Sequence, residues 1–259
     1  MKKFLPFLLL CNLLASCQAG NAPLENRPLG ASDGMAASYR IVAGAADGVL
    51  LLAGTGEQGG VCRLYTEGVP ISWEDADDEL QGLRDGMLIA VHYESILETY
   101  PGQFGGEVGI TVPSASADSL AALYLQVLND LWEADPGLNE GIAKLAVDLS
   151  QTRLSGAEQQ AVAWAFYEAR RAGADVELVG GTFDELAAEG YLTDISDGGD
   201  PLWQWDDGCL FAVMENADGS FTAQKWRSPL GAYYFESCTA SQDEAGYYGT
   251  YQIGSEAIS

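Results

Sequence analysis

Residues 120 to 131 have the sequence Leu-Ala-Ala-Leu-Tyr-Leu-Gln-Val-Leu-Asn-Asp-Leu, and this stretch decides how the rest of the chain is interpreted. Its large apolar side chains recur three and four residues apart, the spacing of one face of an amphipathic helix. Asp118 or Ser119 precedes the run as a cap, and Pro136-Gly137 follows it as a stop signal. We therefore predict a helix here that packs its apolar face on a β-sheet.

Short apolar runs separated by glycine and aspartate precede this helix. They predict five β-strands, at residues 39–43, 49–53, 61–65, 87–93 and 108–112. Residues 75–83 predict a short helix between the third strand and the fourth. Five strands with one interposed helix predict a small all-β barrel, closed or partly closed, of the oligonucleotide/oligosaccharide-binding (OB) type over residues 39–113.

Two segments of this half resemble a known group of proteins. They are Asp85-Gly86-Met87 before one strand and Glu98-Thr99-Tyr100-Pro101-Gly102-Gln103 before the last strand. Both are similar to the small barrel domain of uncharacterised lipoproteins from Gram-positive anaerobes. The resemblance covers roughly residues 38 to 113 and implies an OB-like barrel, but no established activity accompanies it.

Residues 117–259 predict a second domain of α+β class, separated from the barrel by Pro113-Ser114-Ala115-Ser116-Ala117. After the first helix, a strand at 142–149 precedes a helix that opens at the capping box Ser155-Gly156-Ala157-Glu158 and ends near Gly173. A strand at 176–179 and a short helix from Thr182 to Gly190 follow. Strands at 209–215, 221–227, 232–240 and 247–253 complete a mostly antiparallel sheet.

The first residues of the chain have the features of an export signal. Lys2 and Lys3 precede an apolar run at residues 4–15 that is shorter than the about 20 residues needed to span a bilayer. Leu14-Ala15-Ser16-Cys17 resembles the bacterial lipobox, which implies that residues 1–16 are a signal peptide and that Cys17 carries lipid. An ordinary secretory leader is the alternative.

A lipid on Cys17 would decide where the protein resides. Residues 17–38 are rich in Gly, Ala, Ser, Asn and Pro, a composition that predicts a flexible tether. One acyl chain binds a membrane only marginally, so stable anchoring requires a diacylglyceryl group. We expect a protein anchored to the cell membrane through Cys17 and facing the extracytoplasmic side.

The chain is strongly acidic. Removing residues 1–16 takes away two lysines and no acid, so the formal charge of −26 becomes −28. This charge disfavours nucleic acid as a partner and repels anionic lipid headgroups. Acidic residues cluster at 74–79, at 194–200 and at 206–207, yet none of these clusters has the EF-hand spacing. We interpret them as solvated loops and helix starts, and we predict no metal site.

Catalytic and cofactor motifs are few. The single histidine, His92, lies in a predicted strand between Val91 and Tyr93, and the chain has no G-x-S-x-G sequence. Gly54-Thr55-Gly56-Glu57-Gln58-Gly59 matches G-x-G-x-x-G, but a strand follows it where a dinucleotide site requires a helix. We predict a hairpin loop at these glycines and no cofactor.

Three cysteines remain after the leader and the lipidated residue are set aside. Cys209 and Cys238 lie on nearby predicted strands and could form a disulfide that closes a loop of about 30 residues, a bridge contributing about 3.6 kcal/mol. Two buried free thiols are the alternative, because a domain of this size can bury its own core. For Cys62 we predict burial as a small apolar side chain.

Aromatic residues are the remaining candidates for a binding site. Trp203 and Trp205 flank Gln204 in a loop rich in Gly, Asp and Pro, and exposed aromatic rings suit a glycan or peptide ligand. We therefore predict a non-catalytic binding or accessory module, with a glycan, a peptide or a surface protein as partner. The alternatives are a carboxylate-dependent hydrolase with a glycan-type substrate and a structural spacer.

Overall fold

The structure is a computed structural model that describes residues 34–56, 59–75, 82–113, 117–171, 173 and 175–259. Over these residues the chain is mostly β, with an eight-stranded sheet, a six-stranded sheet, a two-stranded ribbon and three α-helices. The predicted signal peptide, Cys17 and the predicted tether up to residue 33 lie outside the described residues.

The first half of the chain forms the eight-stranded sheet. Its strands are β1 Met35–Ala43, β2 Val49–Gly54, β3 Val61–Tyr65, β4 Ile71–Trp73, β5 Leu88–Tyr93, β6 Ser95–Leu97, β7 Gly102–Gly105 and β8 Gly109–Val112. The order is β4-β8-β5-β1-β2-β3-β7-β6. The five predicted strands are confirmed as β1, β2, β3, β5 and β8, whereas β4, β6 and β7 were not predicted. Most of the predicted helix at 75–83 falls on residues 76–81, which are outside the described part.

This sheet is curled but open. Its hydrogen-bonded order ends at β4 on one side and at β6 on the other, so a closed barrel is wrong for the described residues. The curl nevertheless encloses a core, because Phe104 on β7 packs against Tyr39 of β1 at 5.4 Å and Tyr93 of β5 at 5.1 Å between ring centroids. Leu50 and Leu52 point into this core, while Leu51 between them points to the opposite face.

The second half contains the helices and the six-stranded sheet. Its elements are α1 Leu120–Glu133, a 3-10 turn Pro136–Asn139, β9 Lys144–Gln151, α2 Gly156–Arg171, β10 Glu177–Val179, α3 Phe183–Ala188, β11 Thr193–Asp194, β12 Trp203–Gln204, β13 Gly208–Glu215, β14 Phe221–Ser228, β15 Gly231–Cys238 and β16 Ser255–Ile258. The sheet order is β10-β9-β13-β14-β15-β16. The ladders of β9 with β10 and with β13 are parallel, and the other three are antiparallel.

The three predicted helix starts are confirmed. Ser155 and Glu158 form a capping box at α2, with the Ser155 N–H donating to the Glu158 carboxylate at 2.9 Å. Thr182 and Glu185 form a second box at α3. At α1 the Asp118 carboxylate accepts the N–H of Leu120 at 3.1 Å. The Ser119 side chain makes no capping bond, and its Oγ accepts the N–H of Tyr248 at 2.7 Å.

The last predicted strand, at 247–253, is wrong. Only isolated bridges occur there, at Tyr248 and Gln252, and the edge strand is instead β16. This segment makes only single bridges to residues 239–243 and is also tied to α1 and its N-cap. Besides the bond of Tyr248 to Ser119, the hydroxyl of Tyr251 donates to Asp130 at 2.9 Å.

Helices α1 and α2 lie between the two sheets and share one core with both. Leu51 of β2, Leu128 of α1 and Phe211 of β13 belong to the same buried cluster. The first sheet contributes three further members, Val42, Ala53 and Val61. The first sheet also encloses a core of its own, but because this shared cluster joins the two halves, the prediction of two independent domains at 39–113 and 117–259 is not confirmed. A smaller cluster on the far face of the second sheet holds α3.

Candidate functional site

Trp203 and Trp205, the predicted ligand-binding pair, lie on the far side of the second sheet. Trp205 is only 1% exposed, so its ring belongs to the core beneath α3 and is not available to a ligand. Trp203 is half-buried against the same cluster. Gly208 makes the burial of Trp205 feasible, since a Cβ at that position would lie 1.9 Å from the indole ring.

The three cysteines of the described chain are buried, and none of them forms a disulfide. The register pairs Cys238 with Phe221 and Phe221 with Glu215, which is six residues along β13 from Cys209. Two strand spacings and six residues separate the predicted partners by about 20 Å, far beyond the reach of a disulfide. Burial raises the pKa of the Cys209 thiol to about 12 and that of Cys238 to about 11. Both behave as apolar core residues.

The remaining predicted features have structural roles. His92 alternates with the buried Val91 and Tyr93, as predicted, and its Nε2 lies 3.0 Å from the Thr111 hydroxyl. The Gly54–Gly59 segment joins the antiparallel strands β2 and β3, which confirms the hairpin; residues 57 and 58 are not described. Within the described ranges, no three His, Cys, Asp or Glu side chains are grouped to hold a metal ion.

The aromatic residues near the C-terminus are also tied into the fold. Tyr251 is 8% exposed, and burial together with its bond to Asp130 raises the pKa of its phenol. The Trp226 ring packs edge-on against Phe183 at 4.9 Å. These rings therefore do not form an open aromatic groove.

A cleft opens instead on the outer face of the first sheet, where α2 crosses it. We call it the α2 cleft; its volume is about 290 Å³, and it is lined by Ala43, Gly44, Val49, Leu51, Arg63, Ala165, Glu168 and Ala169. The small side chains of α2 leave the space, and the aliphatic groups of β2 form an apolar wall. The volume is at the lower end of the range for small-molecule sites.

A row of paired side chains extends from the cleft across the same face of the sheet. Ala43 pairs with Leu51, Leu51 with Arg63, Arg63 with Gln103, and Gln103 with Leu97, so these five side chains cross five strands on one face. Leu97, at the far end on the edge strand β6, is 51% exposed. A ligand longer than the cleft would thus find a continuous surface.

Aromatic rings border the α2 cleft. Trp164 packs edge-on against Tyr100 at 5.1 Å and is tilted against Tyr167 at 5.5 Å. Tyr100 is 49% exposed, yet burial of its hydroxyl end raises its pKa to about 12. This border offers ring faces and edges of the kind that we expected from Trp203 and Trp205, but on another surface.

A charged triad lies at the same place. Glu168 accepts hydrogen bonds from Arg63 on β3 and, at 2.8 Å, from Arg171 one turn further along α2. The indole N–H of Trp164 also donates to Glu168, at 3.1 Å. Two guanidinium groups and one carboxylate leave the triad with a net charge of +1, in a chain whose formal charge is −26.

This arrangement favours binding over acid–base chemistry. The cleft is lined by one carboxylate, Glu168, which already accepts hydrogen bonds from three donors. A carboxylate-dependent hydrolase requires two carboxyl groups facing one another across the substrate. The hydrolase alternative therefore gains no support from the α2 cleft.

The α2 cleft was not predicted from the sequence, although the spacing of some of its residues along α2 pointed to it. Trp164, Tyr167, Glu168 and Arg171 follow the spacing of three, four and seven residues that places them on one helix face. An amphipathic helix with aromatic and charged residues on its less apolar face is a candidate for recognition. Arg63 and Tyr100 come from distant strands and loops and could not be assigned to this face.

Comparison with known proteins identifies no relative: no family model matches the chain, and neither the curated proteins nor the solved structures contain a match.

Proposed function

We propose that this protein is a membrane-anchored extracytoplasmic lipoprotein that acts as a non-catalytic binding module, with its ligand in the α2 cleft. The observation that carries the proposal is the coincidence of a cleft of about 290 Å³, an aromatic border and a charged triad on one surface. Binding sites combine an apolar wall with a few convergent polar groups, and this surface has both. A glycan, a muropeptide or a peptide is the expected class of ligand.

The open sheet supports a more specific fold assignment. Strands β5 and β6 are separated only by Glu94, and β3 pairs in parallel with β7. If β5 and β6 are counted as one bent strand, the path β1-β2-β3-β7-β6/β5-β1 has the strand order of an OB barrel. We therefore propose an OB-like, partly closed first half in which β5 and β6 act as one strand bent at Glu94, consistent with the resemblance to lipoproteins of Gram-positive anaerobes.

Fluorescence tests the binding site. A panel of muropeptides, oligosaccharides and short peptides is titrated into the protein, and binding in the α2 cleft should quench the emission of Trp164, which borders it. Trp164→Phe should abolish the quench. Trp203→Phe is the matched control, because Trp203 lies on the far side of the second sheet and its loss should leave the quench intact. A quench that disappears with Trp203 and persists without Trp164 would refute the assignment.

The anchor is supported by the lipobox-like residues Leu14 to Cys17 and by the tether that follows. Among the described residues, none of the helices has the length and apolar character needed to cross a bilayer. Cys17→Ser should remove the site of lipid attachment and shift the protein from the membrane fraction to the soluble fraction of lysed cells. Cys11→Ser is the control, since Cys11 leaves with the leader and its replacement should preserve membrane association. Retention of the Cys17 variant in the membrane fraction would contradict the anchor.

A further inference from the structure

The charged triad has a chemical preference that the proposed function does not specify. Glu168 is shared by Arg63, Arg171 and the indole of Trp164, so one carboxylate serves two cations. Arg63 lines the cleft, and its Nη2 donates to Glu168. A guanidinium carries five N–H hydrogens in a planar fork, so a contact to one oxygen leaves donors for a second acceptor.

The surroundings of Arg63 favour a carboxylate as that second acceptor. Arginine binds carboxylates in a bidentate manner that a neutral amide cannot reproduce. The triad is a local positive charge on a strongly acidic molecule, whose field disfavours loose association of anions elsewhere on its surface. Binding would therefore require the specific geometry at Arg63 and not charge alone.

The other residues that line the cleft restrict the chemical group that carries the ligand's carboxylate. Val49 and Leu51 present aliphatic groups, and Ala165 and Ala169 leave a shallow apolar space. The volume of about 290 Å³ corresponds to about ten water molecules, the size of one acylated amino acid. A uronic acid also offers a carboxylate, but its hydroxyl groups would face the aliphatic wall without partners.

We propose that the α2 cleft binds the C-terminal carboxylate of a peptide, with Arg63 exchanging part of its contact with Glu168 for the ligand and the last side chain seated against Val49 and Leu51. This inference rests on the proposed function, because it assigns the ligand class of the same site. Arg63 is the residue that determines specificity, and Glu168 competes with the ligand for it.

The probes are N-acetyl-valine, its amide N-acetyl-valinamide, and glucuronate. The reporter is the indole N–H cross-peak of Trp164, assigned as the one peak missing from Trp164→Phe among the signals of the six tryptophans. Because this N–H donates to Glu168, a change in the triad shifts its peak. We expect N-acetyl-valine to bind at least tenfold more tightly than the amide and than glucuronate.

Two variants separate the roles of the triad. Arg63→Met should weaken N-acetyl-valine at least tenfold while leaving the amide unchanged, and the unchanged amide shows that the cleft is still folded. Glu168→Gln should tighten N-acetyl-valine several-fold, because it removes the competitor. Equal binding of acid and amide, or weaker binding of the acid to Glu168→Gln, would overturn the carboxylate assignment and leave the cleft as a binding site. Binding of neither probe would contradict both the carboxylate assignment and the location of the site.

Discussion

At the scale of single residues, Lys225 shows how a buried charge can be held without an acidic partner. Its side chain is fully buried, and its ammonium donates to the carbonyl oxygens of Trp132, Ala134 and Asp135 at 3.2, 2.8 and 3.0 Å. These are carbonyls at the end of α1, where the helix dipole is negative. Burial lowers the pKa of Lys225, yet all three of its donor hydrogens have an acceptor.

Replacing this lysine should therefore destabilise the fold. In Lys225→Met the three carbonyls lose their donor while staying partly buried beneath a side chain of similar volume, and we expect the free energy of unfolding to fall by about 3 kcal/mol. Urea denaturation followed by circular dichroism measures the change. Lys144→Met is the control, because Lys144 pairs with Asp207 at the surface and its loss should shift the midpoint little. Equal urea midpoints for the two variants would show that the three carbonyls form hydrogen bonds to water instead.

Residues also show where sequence interpretation fails. Trp205 stands in a Gly- and Asp-rich segment that predicts exposure, but the missing side chain of Gly208 provides the space into which the indole folds. Cys209 and Cys238 were predicted on nearby strands, but the register of β13, β14 and β15 places them at opposite ends of these strands. Both outcomes depend on contacts between distant segments, which local patterns do not encode.

At the scale of elements, long apolar repeats were sufficient to predict helices and strands, whereas the short strands could not be predicted from the sequence. Helices α1 and α2 and strands β1, β2 and β13 were predictable because each carries an apolar repeat long enough to distinguish a helix from a strand. Strands β4, β6 and β7 have three or four residues and contain glycine or serine, so they carry no such repeat. Their existence follows from pairing with neighbours, as in the parallel contact of β7 with β3.

The two residues directly before α1 are packed on both sides. The N–H of Asp118 donates to the Gly86 carbonyl at 2.9 Å, and the N–H of Ser119 donates to that of Gly246 at 3.2 Å. Ser119 itself is buried. Asp118 and Ser119, which follow the predicted boundary at residues 113–117, are thus held between the first sheet and the C-terminal segment.

A pair of glycine substitutions tests this packing. Gly86 and Gly68 both adopt positive φ, 95° and 74°, so alanine is strained at either position by about 1–2 kcal/mol. At Gly86 a Cβ would also lie 2.7 Å from the Cβ of Ser119, whereas at Gly68 nothing lies within 4 Å. We expect Gly86→Ala to lower the stability by a further 1–3 kcal/mol or so relative to Gly68→Ala. Thermal unfolding of both variants measures the difference. Equal losses of stability would contradict the expectation, because they would mean that Ser119 moves away from the added methyl group at no cost.

At the scale of the whole molecule, α2 links structure to function. Its buried face, with Ala161, Val162 and Phe166, completes the core shared by the two sheets. Its other face supplies Trp164, Glu168 and Ala169 to the cleft and its border. Two ion pairs, Arg40 with Glu158 and Arg63 with Glu168, tie it to the first sheet. The site therefore exists only when both halves of the chain are assembled, which explains why neither half revealed it in the sequence.

The measurement that tests the α2 cleft most directly is isothermal titration of the panel ligands against a protein whose cleft is filled. Ala169→Trp places an indole in the space that Ala169 now lines, and we expect it to abolish binding while the thermal unfolding midpoint stays near that of the parent protein. Ala188→Trp puts the same side chain on an exposed position of α3, on the far side of the second sheet, and should bind as the parent does. Undiminished binding to Ala169→Trp would contradict the assignment of the ligand to the α2 cleft.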